Sequence, residues 1–114
     1  MELTETQRER RGHDFYPPED VPIPALYATE SVPTDEKIVY LHYFSAGSDH
    51  YLVEYDRATG EGFGYAVLAA MPEMAEWGNV YLPELEAINL RNGLVIVERD
   101  CYWTPKAFNE LGVK

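Results

Sequence analysis

An α+β fold in one small domain, mostly an antiparallel β-meander with one main helix and short helical turns, is what this sequence predicts. Three runs rich in β-branched and aromatic residues, Lys37–Phe44, His50–Asp56 and Phe63–Ala70, follow one another at strand length. Two segments with turn chemistry, Ser45–Asp49 and Asp56–Gly62, separate them. A chain of 114 residues has the length for one hydrophobic core, and its composition, 46% hydrophobic and 25% charged, is that of a globular protein.

Residues 1–24 differ from the rest and are expected to form a proline-rich N-terminal arm, with residues 25–114 forming the α+β domain. Thr4–Arg11 suits a short helix, with Thr4 as N-cap, arginines toward its C-terminal end and Gly12 as its stop. Pro17, Pro18, Pro22 and Pro24 then impose an extended path with few backbone donors. Such an arm lies along the domain, stays loose or docks onto a partner, and the first two readings are the simpler. Ala28–Lys37, polar with Pro33 in its middle, reads as a turn or short helical turn feeding the first strand.

Both faces of that strand are apolar, with Ile38, Tyr40 and Phe44 on one and Val39, Leu41 and Tyr43 on the other. A central or doubly covered position follows. The second strand sets Tyr51, Val53 and Tyr55 against a more polar face of Leu52, Glu54 and Asp56. Asp56–Gly62 carries the clearest turn, because Asp56 can bond its own downstream backbone and Gly60 can take positive φ. Pro72–Gly78 is expected to break the pattern before a short strand at Asn79–Tyr81. Pro83 and the early glutamates suit a helix over Leu82–Leu90, with Leu82, Leu85 and Ile88 on one face. A turn at Asn92–Gly93, a strand at Leu94–Glu98 and a short closing helix at Thr104–Leu111, capped by Thr104, complete a sheet of four or five strands.

The nine tyrosines serve half-buried strand faces first and binding surfaces second. The chain carries 20 acids against 9 Lys and Arg, a net of −11. Between Glu30 and Glu86 eleven acids face only Lys37 and Arg57, so −11 + 2 leaves −9 in that stretch. A surface of this sign repels phosphate backbones, which argues against direct nucleic-acid binding. One cysteine, Cys101, excludes an internal disulfide, and the opening Met1–Arg8 is not a hydrophobic leader, so a cytoplasmic setting is expected. No apolar run approaches the about 20 residues that cross a bilayer, and a soluble protein with no membrane partner is expected.

No residue set forms a catalytic or cofactor motif. His42 and His50 flank the first hairpin loop and could reach a metal together with Asp49, Glu54 or Asp56, but their spacing matches no ligand pattern and a structural role is preferred. Glu98 and Asp100 point to one side of a strand end, where two carboxylates can divide acid and base work. A charged strand terminus, with Arg99 pairing to a nearby acid, is the plainer reading. Cys101 sits among acids that disfavour a thiolate nucleophile. Gly60, Gly62 and Gly64 lie between strands and not before a helix, so they read as hairpin glycines and not as a phosphate loop.

Several blocks carry a family resemblance: Ala25–Glu30, Lys37–Leu41, Glu54–Gly60 followed by Phe63–Gly64, Leu82–Ile88 and Val97–Asp100. In this order, over roughly residues 23–111, they resemble the DUF2958 family of small proteins of unknown function. The chain departs from the family at Ser48–Tyr51, where members carry a Trp-rich run. The resemblance implies a mobile-element setting, a phage or plasmid, and supplies no catalytic residues. With the charge balance, it leads to the expectation of a non-catalytic acidic accessory protein that engages a basic protein partner, such as a nuclease or other DNA-processing protein. The candidate interaction surface is Asp49, Glu54, Asp56, Glu61, Glu98 and Asp100, with no cofactor and no metal. The alternative is a small metal-dependent hydrolase or ligand-binding domain built on Glu54, Asp56, Glu98, Asp100 and one histidine. Acidity that only maintains solubility is the plain counterpart of both.

Overall fold

The computed structural model describes residues 3–69, 71–90 and 95–112. In chain order they form a short helix α1 (Arg8–Arg11), a 3-10 turn at Thr34–Glu36, strands β1 (Ile38–Val39), β2 (Leu41–Ser45), β3 (Ser48–Tyr55), β4 (Glu61–Leu68) and β5 (Met71–Tyr81), helix α2 (Leu82–Glu86), strands β6 (Glu98–Arg99) and β7 (Lys106–Ala107), and a 3-10 turn at Phe108–Glu110. Strands β5-β4-β3-β2-β6 make one antiparallel sheet, and β1 pairs with β7 beside it. The predicted sheet-dominated α+β fold is the observed one.

Both faces of this sheet are covered, and two irregularities decide which residues go to which face. Along β3, Leu52 joins one buried cluster with Leu41 and Tyr43, while Val53 joins the other with Val39, Tyr65 and Phe108. Regular alternation would place Tyr55 with Val53. A bulge between Leu52 and Glu54 shifts the parity, and Tyr55 lies in the cluster of Leu52 instead. The first strand is likewise interrupted at Tyr40, so Val39 and Leu41 enter opposite clusters although two residues apart. Ile38 and Phe44, expected on a buried face, are 39% and 38% exposed.

The turns follow their chemistry. Ala46 and Gly47 have φ of 44° and 90° between the paired Ser45 and Ser48, the geometry of a two-residue primed hairpin turn. In the next turn Ala58 N–H donates to Asp56 Oδ1 at 2.9 Å, and Gly60 takes φ 84°. Gly64 has a different role. A Cβ there would stand 2.1 Å from the Tyr51 carbonyl oxygen, so the close approach of β3 and β4 requires glycine.

Four expectations are corrected. Pro72–Gly78 does not break the sheet but belongs to β5, because an edge strand tolerates proline and glycine next to a register irregularity. The helix expected over Leu82–Leu90 ends at Glu86, and Leu90 bridges Val95. Of the strand expected at Leu94–Glu98, only Glu98 belongs to β6, while Asn92–Gly93 and Leu94 lie outside the described residues. The closing helix is replaced by β7 and one 3-10 turn: Lys106 and Ala107 pair with Val39 and Ile38, and Phe108 N–H donates to Lys37 O at 2.8 Å.

The N-terminal segment covers one face. Phe15 is fully buried against Tyr43, whose hydroxyl donates to Phe15 O at 2.7 Å. The proline-rich stretch lacks donors but not acceptors, and Arg57 supplies what it lacks. Its guanidinium donates to Pro17 O, Pro18 O and Val21 O at 3.2, 3.1 and 2.8 Å, while Tyr55 N–H donates to Pro24 O.

Gly64→Ala is expected to destabilise the fold by about 3 kcal/mol, since backbone and not a yielding side chain meets the new methyl. Ala46→Gly, at a left-handed position, is expected to be neutral or to stabilise slightly. Urea midpoints of the two variants check the pair, and an unchanged midpoint for Gly64→Ala contradicts the packing described.

Candidate functional site

Two glutamates and one histidine of the chain sit in built environments. The first is Glu54, 4% exposed on β3. Tyr27 N–H donates to its Oε1 at 2.8 Å and Thr29 N–H to its Oε2 at 3.0 Å, and the Thr29 hydroxyl donates to Oε2 as well. Tyr27 adopts φ 70°, a left-handed backbone in a turn that brings the Tyr27 and Thr29 amides to one anion while Ala28 N–H donates to Ala25 O. Lys37, 5% exposed, donates through Nζ to Thr29 O and to Thr29 Oγ1. Burial alone pushes the Glu54 carboxyl up, but the Thr29 hydroxyl, the two amides and the Lys37 charge outweigh it and hold it below the ordinary value of 4.5.

The second is Glu86, 1% exposed at the end of α2. It accepts from Thr6 N–H at 2.9 and 2.8 Å, from the Thr6 hydroxyl at 2.9 Å, from Gln7 N–H at 2.8 Å and from Arg11 Nη1 at 3.0 Å. A carboxylate nearly eighty residues away thus caps α1, where Thr4 was expected to do so and Gln7 is the N-cap residue without a side-chain bond. Arg11, itself buried, also donates through Nε to Val97 O at 2.7 Å and lies 4.5 Å over the Phe15 ring. Burial pushes Glu86 up, and the Thr6 and Gln7 amides, Arg11 and the Thr6 hydroxyl more than reverse it, again leaving the carboxyl below 4.5.

The third environment surrounds His42. Its Nε2 lies 2.7 Å from Asp49 Oδ1 and its Nδ1 3.0 Å from Asp100 Oδ2. Ionised carboxylates only accept, so only a doubly protonated ring satisfies both at once. The imidazole stacks on Tyr51 at 4.9 Å and meets Trp103 at 5.1 Å. His50, 8% exposed, is a different case: burial and the nearby His42 lower its pKa against the opposing pull of Asp49, and its Nδ1 has no partner among the described residues.

The sequence-derived candidates are therefore dispersed. Asp49 and Asp100 meet at His42, Glu54 lies under the Tyr27–Thr29 loop, and Asp56 and Glu61 flank one turn. Glu98 stands 3.5 Å from His13 Nε2. Arg99, expected to pair with an acid, instead donates to Asp14 O at 3.0 Å. Glu54, Asp56, Glu98 and Asp100 do not converge in one cleft, and among the described residues no group of three or more His, Cys, Asp or Glu is placed to hold a metal ion. Sequence reasoning missed Glu86, Arg11 and Lys37 as internal residues. One signal for Glu86 was present: it follows Leu82 by four, on the apolar stripe of α2.

No family model, no curated protein and no solved structure matches the chain. Fold and site rest on its own residues.

Both buried glutamates titrate below 4.5 when folded and near 4.5 when unfolded, so the unfolded chain binds more protons as pH falls. Their stabilisation is present in full above about pH 4.5 and is lost as pH drops through the lowered native values. Glu86→Gln is expected to cost about 2–3 kcal/mol at pH 7, because buried Arg11 loses its nearer counter-charge and keeps only Glu5 at 3.7 Å. That deficit relative to wild type narrows in acid below pH 4.5. Denaturant curves across pH measure both effects, and a deficit independent of pH contradicts them. Around His42, Asp49→Ala and Asp100→Ala remove two partners of one ring, so their combined cost departs from the sum by about 0.5–3 kcal/mol in a double-mutant cycle. Strict additivity contradicts a shared role.

Proposed function

We propose that this chain is a non-catalytic interaction module that takes an extended, basic segment of a partner protein onto the free edge of β5. The observation that carries this reading is the strand itself. Met71–Tyr81 spans 11 residues and pairs only with β4, so its outer edge has no partner among the described residues. A long open edge presents unpaired amides and carbonyls to an added strand.

Its chemistry selects the segment. Glu73 and Glu76 are exposed on it and make no ion pair among the described residues. No Lys or Arg occurs between Glu61 and Leu90 to neutralise them. The two cations of the acidic stretch, Lys37 and Arg57, donate to backbone carbonyls elsewhere. Met71 and Met74, 49% and 65% exposed, add adaptable apolar contacts. Edge-to-edge pairing of two copies would bring like charges together, which disfavours self-association. A cationic tail of a DNA-processing protein fits this edge, and the mobile-element setting implied by the DUF2958 resemblance would supply one.

An alternating Lys-Val peptide is the direct probe. Hydrogen exchange is expected to slow at β5 amides when it is added, with binding lost in the Glu73→Gln, Glu76→Gln double variant and weakened by salt. Protection that maps to another strand, or equal binding by wild type and double variant, overturns the reading. A concentration-dependent dimer in the absence of peptide also overturns it.

A further inference from the structure

A hollow under the Tyr27–Thr29 loop, with Asn79 of β5 on its lining, combines apolar walls with buried charged side chains. It measures about 520 Å³, within the range of small-molecule sites. Leu26, Val32 and Phe63 give it apolar walls, Tyr27 stands at its mouth with 69% of its surface exposed, and Lys37 and Glu54 line it from below. We infer that this cavity is a binding site for an uncharged small molecule with a ring or branched apolar body and a carbonyl group.

The polar inventory of the cavity leads to that class. An ammonium has three N–H donors, and two of those on Lys37 go to Thr29 O and Thr29 Oγ1. The third has no acceptor among the described residues, although Lys37 is only 5% exposed. A buried donor left open is costly, and an entering acceptor relieves that cost. Glu54 is in the opposite condition. Its two oxygens already accept from Tyr27 N–H, Thr29 N–H and the Thr29 hydroxyl, which leaves it little to offer a ligand cation.

Charge narrows the class further. Glu54 behind Lys37 and Glu30 on the lining together exceed the single positive charge, so a full anion meets net repulsion. A neutral carbonyl, as in an amide or lactam, accepts from Lys37 without that penalty. Asn79, also on the lining, can donate or accept at a second point of such a molecule. The loop is held in place before any ligand arrives, because the Tyr27 backbone N–H donates a hydrogen bond to Glu54.

Benzamide, benzoate and benzylamine share one ring and differ in charge, which makes them a suitable probe set for amide chemical-shift mapping on the full chain. Benzamide is expected to shift Leu26, Phe63 and Asn79 saturably in the millimolar range and to bind at least about fivefold more tightly than the other two, the worth of one hydrogen bond. Lys37→Met is expected to erase that preference. Since this change could also disturb folding, Val32→Trp serves as the second variant: it fills the cavity without touching the Lys37, Thr29 and Glu54 bonds, and it is expected to abolish the shifts while the rest of the spectrum stays native. Equal affinity for the three probes, shifts centred elsewhere, binding that survives Val32→Trp, or no saturable shift by any probe would each overturn the assignment.

Discussion

The carboxylate of Glu86, buried and ringed by donors from the N-terminal segment, is the constraint on which the arrangement of this molecule depends. An ionised carboxylate out of water is stable only where several donors replace its hydration. Here Thr6, Gln7 and Arg11 supply them from the N-terminal segment. The same contacts start α1 and place Arg11 where it reaches Val97 O and the Phe15 ring. Phe15 in turn closes one face of the sheet over Tyr43. Glu54 repeats the device on a smaller scale, holding the Tyr27–Thr29 loop against β3.

This internal use of charge shapes the exterior. Arg11, Lys37 and Arg57 all turn toward backbone carbonyls or buried acids, so their positive charges do little to offset the acids that remain outside. Arg11 and Lys37 are buried while Arg57 stays exposed, and no Lys or Arg occurs between Glu61 and Leu90, the stretch that includes β5. A chain with a net charge of −11 thus combines two buried carboxylates ringed by donors with an edge strand that exposes Glu73 and Glu76.

Much of the fold was legible because its signals are local. Alternating β-branched and aromatic residues located β2, β3 and β4, Asp56 and Gly60 located a turn, and Gly12 located the end of α1 at φ 81°. What escaped were features decided across the sequence. The extra residue at Val53 reverses the side on which Tyr55 lies, and no local pattern announces a bulge. Pairing of Lys106–Ala107 with Ile38–Val39 overrides the helical propensity of the closing segment. Glu54 and Glu86 read as surface charge because carboxylates are rarely buried, and their partners, backbone amides of remote loops, leave no mark in composition. The six acids read as one interaction surface fall into separate places: Asp49 and Asp100 meet at His42, Asp56 and Glu61 at one turn, Glu54 is buried and Glu98 stands by His13.

Native-state hydrogen exchange resolved at the amides of Thr6, Gln7, Tyr27 and Thr29 tests this account most directly. These four lie outside strands, and their protons are held only by the two buried glutamates. If those carboxylates organise the fold, the four amides exchange nearly as slowly as the central amides of β3 and β4. Exchange at rates typical of open loops, with the sheet still protected, would contradict it.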